Sequence, residues 1–411
     1  MAPNETDDRT TAGEAEEPRA GRRKAARYVV PVTVLGVAAA TIGLVPALAD
    51  SGDPDLPDIT AAQLIEKIAQ SDVERLSGTV KITTDLGLPN LGGLESGLLS
   101  GAAGGEGGEG GSSADPSGRL TELASGTHTL RVAADGPDRQ KLSLLENAAE
   151  YSLIHNGKDV WGYDSASNEV YHATVDEADA KGRSEQQPPA TPKDFAEEAL
   201  KAVDDTTSVK VDGTAQVAGR DAYRLVVEPK QSGSTVGAVS IAVDSETGMP
   251  LKFTLTPSSG GSAVVDVGFT KVSFDRPDAS TFDFTPPKGA KVTEDTEQDR
   301  GHGGFGTKPE RGPKPEEDLA KGLDGLRMLG EGWNTVATFD TGVGAGLPTE
   351  EEVGGDLGGF LGSLGDQVKG DFGKGTVFST RLVNALVTED GKVYVGTVTK
   401  DALVKAAEAG K

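Results

Sequence analysis

Tyr151-Ser152-Leu153-Ile154-His155-Asn156-Gly157-Lys158-Asp159-Val160-Trp161-Gly162-Tyr163-Asp164 contains the sharpest structural signal in the chain. Two alternating runs flank Asn156-Gly157, the dipeptide best suited to a tight β-hairpin turn because both residues tolerate positive φ. Working outward, strand-like runs occupy about 120–134, 138–146, 149–155, 158–164 and 168–175, broken by Asp135-Gly136-Pro137 and by Asp164 to Asn168. This pattern predicts an antiparallel meander. Upstream, Thr79-Val80-Lys81-Ile82-Thr83 alternates in the same way and adds a strand.

Two segments switch from period two to helical spacing. Thr60 with Gln63 three residues on is a capping-box pattern, followed by Leu64, Ile65 and Ile68 on one face. Thr191-Pro192 supplies a cap and an N1 proline ahead of Phe195, Ala199, Leu200 and Val203. After the second helix come five more strand-like runs, at 207–217, 221–229, 235–244, 249–256 and 262–275, with a turn at Asp244-Ser245-Glu246-Thr247-Gly248. Between the first strand and the meander, residues 86–118 read as a flexible insertion. Seven of the eleven residues 101–111 are Gly, a composition that predicts no packing.

The N-terminus reads as a targeting device. An acidic leader within 1–27 ends in the basic cluster Arg19, Arg22, Arg23, Lys24 and Arg27. An uncharged stretch, 28–49, follows, and as a helix it would span about 33 Å, enough for a bilayer core. Basic residues before it and Asp50, Asp53, Asp55 and Asp58 after it place everything downstream outside the cytoplasm. The expectation is a cell-membrane protein with a single span and an external C-terminal part. Ala47-Leu48-Ala49 leaves open the alternative of a signal peptide cleaved near Ala49, with secretion. Residues 50–58 form a Pro/Asp tether, 59–292 the main β domain, 293–316 a linker, and 317–411 a small α+β unit. For that unit the spacing predicts a helix through Leu319, Leu323, Leu326 and Leu329, a strand near 333–339 and a helix-like patch at 357–369. A hairpin of 376–388 with 392–399 and a terminal helix from Asp401 complete it.

Composition narrows the function classes. The 411 residues carry 40 Lys+Arg against 65 Asp+Glu, a net charge of −25, so nucleic acid is not an expected partner. The absence of Cys excludes disulfides, thiolate metal sites and thiol catalysis. Gly301 to Gly306 matches Gly-x-Gly-x-x-Gly, but no strand precedes it and no helix leaves it, so a phosphate cradle cannot form. Asp50, Asp53, Asp55 and Asp58 lack the loop glycine and closing Glu of a calcium loop. His155 and His172 fall on neighbouring strands and, with Asp164 or Glu169, form the one candidate metal or acid–base cluster; two ordinary strand histidines beside turns are the plainer reading. The expectation is no enzyme, no metal and no cofactor.

What remains is apolar. Leu225/Val227, Val239/Ile241/Val243, Leu251/Phe253/Leu255 and Val265/Val267/Phe269 recur at spacing two, which places each set on one face of its strand. Leu153 and Trp161 add large side chains from the meander. A packed core and an apolar cavity beneath two helices are both compatible with this pattern.

The local phrases Leu76-Ser77-Gly78-Thr79-Val80, Asp159 to Asp164, Val217-Ala218-Gly219-Arg220-Asp221-Ala222-Tyr223-Arg224-Leu225 and Val243-Asp244-Ser245-Glu246-Thr247-Gly248-Met249-Pro250-Leu251-Lys252 resemble those of the LolA-like lipoprotein-carrier family. Its superfamily also holds LolB and the RseB-type regulators. Phe282-Asp283-Phe284-Thr285-Pro286-Pro287 resembles the family's closing segment, and the resemblance covers about 58–292. It implies an unclosed antiparallel β-barrel of about 11 strands with two lid helices over an apolar cavity for acyl chains. The ligand-facing candidates are then Leu153, Trp161, Leu225, Ile241, Leu251, Phe253, Val267 and Phe269, and the expected partner is a lipid or an acylated lipoprotein. RseB-type proteins add a smaller C-terminal domain that grips a membrane-anchored protein, and 317–411 fits that plan in size.

Overall fold

The structure, a computed structural model, describes residues 53–87, 112–116, 119, 122–174, 190–294, 326–340 and 365–410. The leader, the apolar stretch 28–49, the Gly-rich part of the insertion, the Gly301 to Gly306 match and Leu319 and Leu323 lie outside the described residues.

Helix α1 (Ala61–Ala69) precedes strands β1 (Arg75–Thr84), β2 (Gly126–Asp135), β3 (Arg139–Leu145), β4 (Glu150–Asn156), β5 (Asp159–Asp164) and β6 (Glu169–Thr174). Helix α2 (Pro192–Lys201) then leads to β7 (Thr207–Val217), β8 (Arg220–Pro229), β9 (Val236–Asp244), β10 (Pro250–Pro257), β11 (Val265–Ser273) and β12 (Lys291–Glu294). All twelve strands form one open sheet in the order β12-β6-β5-β4-β3-β2-β1-β11-β10-β9-β8-β7. Its two meanders join where β1 pairs with β11, and β12 adds a parallel edge beside β6.

Both helices start as their sequences dictate. Thr60 accepts from the Gln63 backbone N–H at 3.2 Å while the Gln63 side chain accepts from the Thr60 N–H at 3.0 Å. Thr191 and Asp194 reproduce this exchange at α2. Leu64 and Ile68 of α1 and Ala196 of α2 are buried against Leu225, Ile241 and Phe253 of the sheet, so the helices cover its second half.

The phrases around Arg220 and Asp244 prove to be one structural device. Asp244 opens the turn between β9 and β10 and accepts from the Thr247 N–H at 2.8 Å and hydroxyl at 2.7 Å. Arg220, at the start of β8, donates to both its oxygens at 2.6 and 3.0 Å and stacks over Phe274 at 4.8 Å. Gly248 closes the turn at φ +75°, with its α-carbon against the backbone carbonyl of Lys67 in α1. A side chain there meets both a left-handed backbone and an occupied space. Gly248→Val is therefore expected to destabilise the protein by about 1–3 kcal/mol, measured by urea unfolding, with loss of α1 docking.

A second sheet follows, with strands β13 (Arg327–Leu329), β14 (Val336–Asp340), β15 (Asp366–Gly370), β16 (Gly373–Ser379), β17 (Asn384–Thr388) and β18 (Lys392–Gly396) in the order β13-β14-β18-β17-β16-β15. Helix α3 (Lys400–Ala409) buries Leu403 and Ala407 against Val377, Leu386 and Tyr394. Three expectations are corrected here. Leu326 and Leu329, read as the end of a helix, flank and end strand β13, which pairs with β14. The described end of the helix-like patch, from Asp366, is strand β15. The run 376–388 holds two strands, turned where Thr380 accepts from and donates to Val383.

This sheet is clamped to one end of the first. Arg381 donates to Asp85 at 2.7 Å and to the carbonyl of Ser262, Trp333 Nε1 donates to Thr207 at 2.9 Å, and Ser234 bridges to Val398.

Candidate functional site

The helix-covered face gathers most of the apolar residues singled out in the sequence. Directly paired residues on neighbouring strands share a face, and Leu225 pairs with Ile241, Ile241 with Phe253, Phe253 with Val267, and Val267 with Ile82. This row crosses five strands beneath α1 and α2. Phe195 of α2 lies over it, with its ring 5.3 Å from that of Phe253. Leu251 and Phe269 join Val267 in the adjoining cluster, where half-buried Leu153 packs from β4.

Trp161 does not belong with them. Leu153 pairs with Gly162 and Ile154 with Trp161, so Trp161 occupies the opposite face. There it stacks on His172 at 3.7 Å and meets Phe284 at 5.5 Å. The closing segment around Phe282 and Phe284 covers this outer face of β4 and β5, and Phe282 is fully buried.

Beneath the helices the face is filled. Phe253 is 4% exposed, and Leu225, Ile241, Leu251 and Val267 are fully buried. Two concavities among the described residues are open and lined by charged side chains. One lies between Gln63, Glu66, Lys67 and Glu246, the other between Lys369, Lys400 and Glu408. Among the described residues this face is closed by packed side chains, with Phe195 of α2 seated over Phe253.

The return arm of the insertion packs, contrary to the reading of 86–118 as wholly flexible. Ala114 is fully buried; its carbonyl accepts from the Tyr151 hydroxyl at 3.1 Å and lies against Gly162, where a Cβ would collide with it. Burial pushes the Tyr151 phenol well above its ordinary range. Ser112 and Ser113 donate to Glu169 at 3.1 and 2.9 Å, and Lys291 adds an ion pair at 2.9 Å. Lys291 and these donors hold the Glu169 carboxyl down at about 2. Arg119 fastens the arm by binding Asp164 at 2.8 Å, Glu146 at 3.1 Å and Glu122 at 3.2 Å. Burial pushes the Asp164 carboxyl up, but the Ala166 N–H, Ser113, Ser167 and Arg119 outweigh it and keep it below the carboxylate range. The only sequence signal for this arm was the switch from Gly/Glu to Ser112-Ser113-Ala114-Asp115.

His155 and His172 do not form a site together. His155 pairs with Val160 and His172 with Trp161, which puts their side chains on opposite faces. His172 lies between Asp159 at 2.9 Å and Glu294 at 2.6 Å, so it ties β12 to the edge of the sheet. Burial opposes its charge, but the two carboxylates prevail and raise its pKa. A raised folded pKa contributes stability that is complete below the ordinary imidazole value and fades as pH climbs through the folded value. Amide exchange at 292–294, corrected for its intrinsic pH dependence, is therefore expected to accelerate as pH rises from about 6 to about 9. His172→Gln should abolish that acceleration.

No family model matches the chain, and no curated protein matches it. Among solved structures the chain is similar to Pseudomonas aeruginosa MucB in its complex with MucA. Identity is 16% and the TM-score 0.37, over 84% of this chain and 96% of that one. It is also similar to a LolA superfamily protein from Nitrosomonas europaea, with 10% identity and a TM-score of 0.22 over 55% of this chain and 99% of that one. A putative outer membrane lipoprotein-sorting protein domain from Vibrio parahaemolyticus matches with 12% identity and a TM-score of 0.22, over 55% of this chain and 96% of that one.

Proposed function

We propose that the protein is a non-enzymatic binding protein that works outside the cytoplasm, anchored through 28–49, and holds the acyl chains of a lipid or lipoprotein under α1 and α2. The observation that carries this reading is the continuous apolar row from Leu225 to Ile82, closed by two helices of only nine and ten residues. Helices this short owe their stability to docking and not to propensity, so they can leave the sheet without losing an independent core. A sixteen-carbon chain buried at about 0.8 kcal/mol per CH₂ would offset the packing that α2 gives up when it moves. The element order helix, six strands, helix, five strands, which the LolA resemblance implies, is present, with the short strand β12 added after it.

Native mass spectrometry of the full-length protein, purified in mild detergent, tests the reading. A co-purifying lipid or acylated peptide that organic solvent extracts is the expected result. Protein without any adduct, and without binding of an added fluorescent fatty acid, would overturn it.

A second reading has its own observation. On the six-stranded sheet, Ala337, Val395, Ala385 and Phe378 run across the face turned away from α3, beside Phe339, Val393 and Val387. Leu326 and Met328 at its edge are 54% and 68% exposed. Such a face suits an apolar segment of a membrane-anchored protein partner, as in the regulator reading. Co-purification of one stoichiometric protein, lost with Phe339→Glu, would favour it.

A further inference from the structure

The face of the large sheet turned away from the helices is chemically unlike the rest of the chain. Val80 and Ile82 of β1 point to the helices, so Thr79, Lys81 and Thr83 point outward. Register carries this assignment to the neighbouring strands. Arg131 and Lys271 both pair with Thr79, Lys81 and Lys252 share Gly268, and Lys141 pairs with Ala133, the partner of Ser77. Five adjacent strands, β10, β11, β1, β2 and β3, thus present one cation or more each on a single face. Between them lie the hydroxyls of Thr83, Thr127 and Thr129; Ser143 is buried on this face, and the one large apolar side chain that the five strands place on it is half-buried Leu145, the partner of Thr129. Two carboxylates share the face: Asp266, 3.0 Å from Lys252, and Glu150, 4.0 Å from Arg131. Lys81, Lys141 and Lys271 make no ion pair among the described residues. At the end of the same strands a single buried carboxylate, Asp135, receives Arg75, Arg139 and Arg276 at 3.3, 2.6 and 3.1 Å. This concentration of positive charge occurs in a chain of net charge −25.

We infer that this face docks on the anionic phospholipid headgroups of a bilayer surface. Five strands spaced about 4.8 Å apart make a platform roughly 20 Å wide, which a layer of headgroups covers and a single acidic peptide does not. Aromatic residues that would stack bases are absent from among the five cations, and the chain's net charge opposes a long polyphosphate. Only charges within a Debye length of about 8 Å of the surface act on the lipid, so acidic residues elsewhere are screened. Residues 50–58, between the apolar stretch and α1, reach at most about 30 Å, so a bilayer holding 28–49 keeps its headgroups within range. The docking does not depend on what the helix-covered face binds.

Lysine footprinting of the full-length protein tests the inference. The protein is bound to vesicles of phosphatidylcholine alone, or of phosphatidylcholine with one third phosphatidylglycerol, and treated with a soluble acetylating reagent. Acetylation of Lys81 and Lys271 is expected to fall by about fivefold or more on the anionic vesicles, to recover in high salt, and to recover in Arg131→Glu. Equal acetylation on both vesicle types would overturn the proposal. So would protection without vesicles, which would show that an acidic segment of the chain or another protein occupies the face.

Discussion

Arg220→Met is expected to destabilise the protein by about 3–5 kcal/mol, because it leaves a buried carboxylate without its cation. The Asp244 side chain is 1% exposed, and Arg220 binds both of its oxygens while also reaching Glu246 at 2.7 Å. Burial alone would raise the Asp244 pKa; the Arg220 guanidinium and the Thr247 donors overcome it and lower it. A lowered folded pKa contributes stability that is present above the unfolded carboxylate value and lost as pH falls through the folded one. Removing Arg220 removes the main force behind that lowering, so the variant should lose further stability at a higher pH than the wild type on acidification. Urea unfolding at neutral pH and at a series of acidic pH values measures both effects. A loss below about 1 kcal/mol would mean that the Thr247 donors alone hold the carboxylate.

Phe253→Ala carries a comparable cost for a different reason. Phe253 is nearly fully buried in the apolar row and its ring meets Phe195, so the truncation leaves a cavity between sheet and α2 and costs about 3–5 kcal/mol. An open lipid cavity would have made this residue part of a wall, with a smaller cost. The filled face makes it a keystone of the closed form. Exchange of the α2 amides should accelerate in the variant more than exchange in α3, which packs on the other sheet.

Much of this architecture is written locally. The alternating runs became strands with ends shifted by a few residues: 207–217 is β7, 235–244 is Val236–Asp244, and 158–164 is Asp159–Asp164. Both capping patterns formed as read. Elements whose stability comes from distant partners were not legible. Lys291-Val292-Thr293-Glu294 has one apolar residue and no alternation to see; it is a strand because Glu169 and His172 hold its two ends. The turn at 380–383 has no Gly, Asn or Pro, and Arg381 is fixed by Asp85 nearly three hundred residues earlier. Leu326 and Leu329 fitted a helical period by chance of spacing, and pairing with β14 decided otherwise.

Trp161 shows a different limit. Apolar alternation identifies a face only when the other face is wet, and in β4 and β5 the closing segment around Phe282 covers the second face as well. Hairpin register did hold the answer. A two-residue loop of Asn156-Gly157, or of Gly157-Lys158 as the structure has it, sets Trp161 opposite an even-numbered residue and therefore away from Leu153. In the structure that partner is Ile154, with Gly157 at φ +66°. Two phrases of the LolA resemblance, Val217 to Leu225 and Val243 to Lys252, build the Arg220–Asp244 turn and the seat of α1.

The most direct test of the proposed function is photolabelling with a fatty acid bearing a diazirine near its methyl end. The full-length protein is loaded with the probe, irradiated and digested, and the modified peptides are mapped by mass spectrometry. Labels on the peptides of β8 to β11 that contain Leu225, Ile241, Phe253 and Val267, and on α2 around Phe195, are the predicted result, with unlabelled fatty acid competing. Saturable labelling confined to the outer face around Trp161 or to the six-stranded sheet, with the helix-covered row unmodified, would contradict the account.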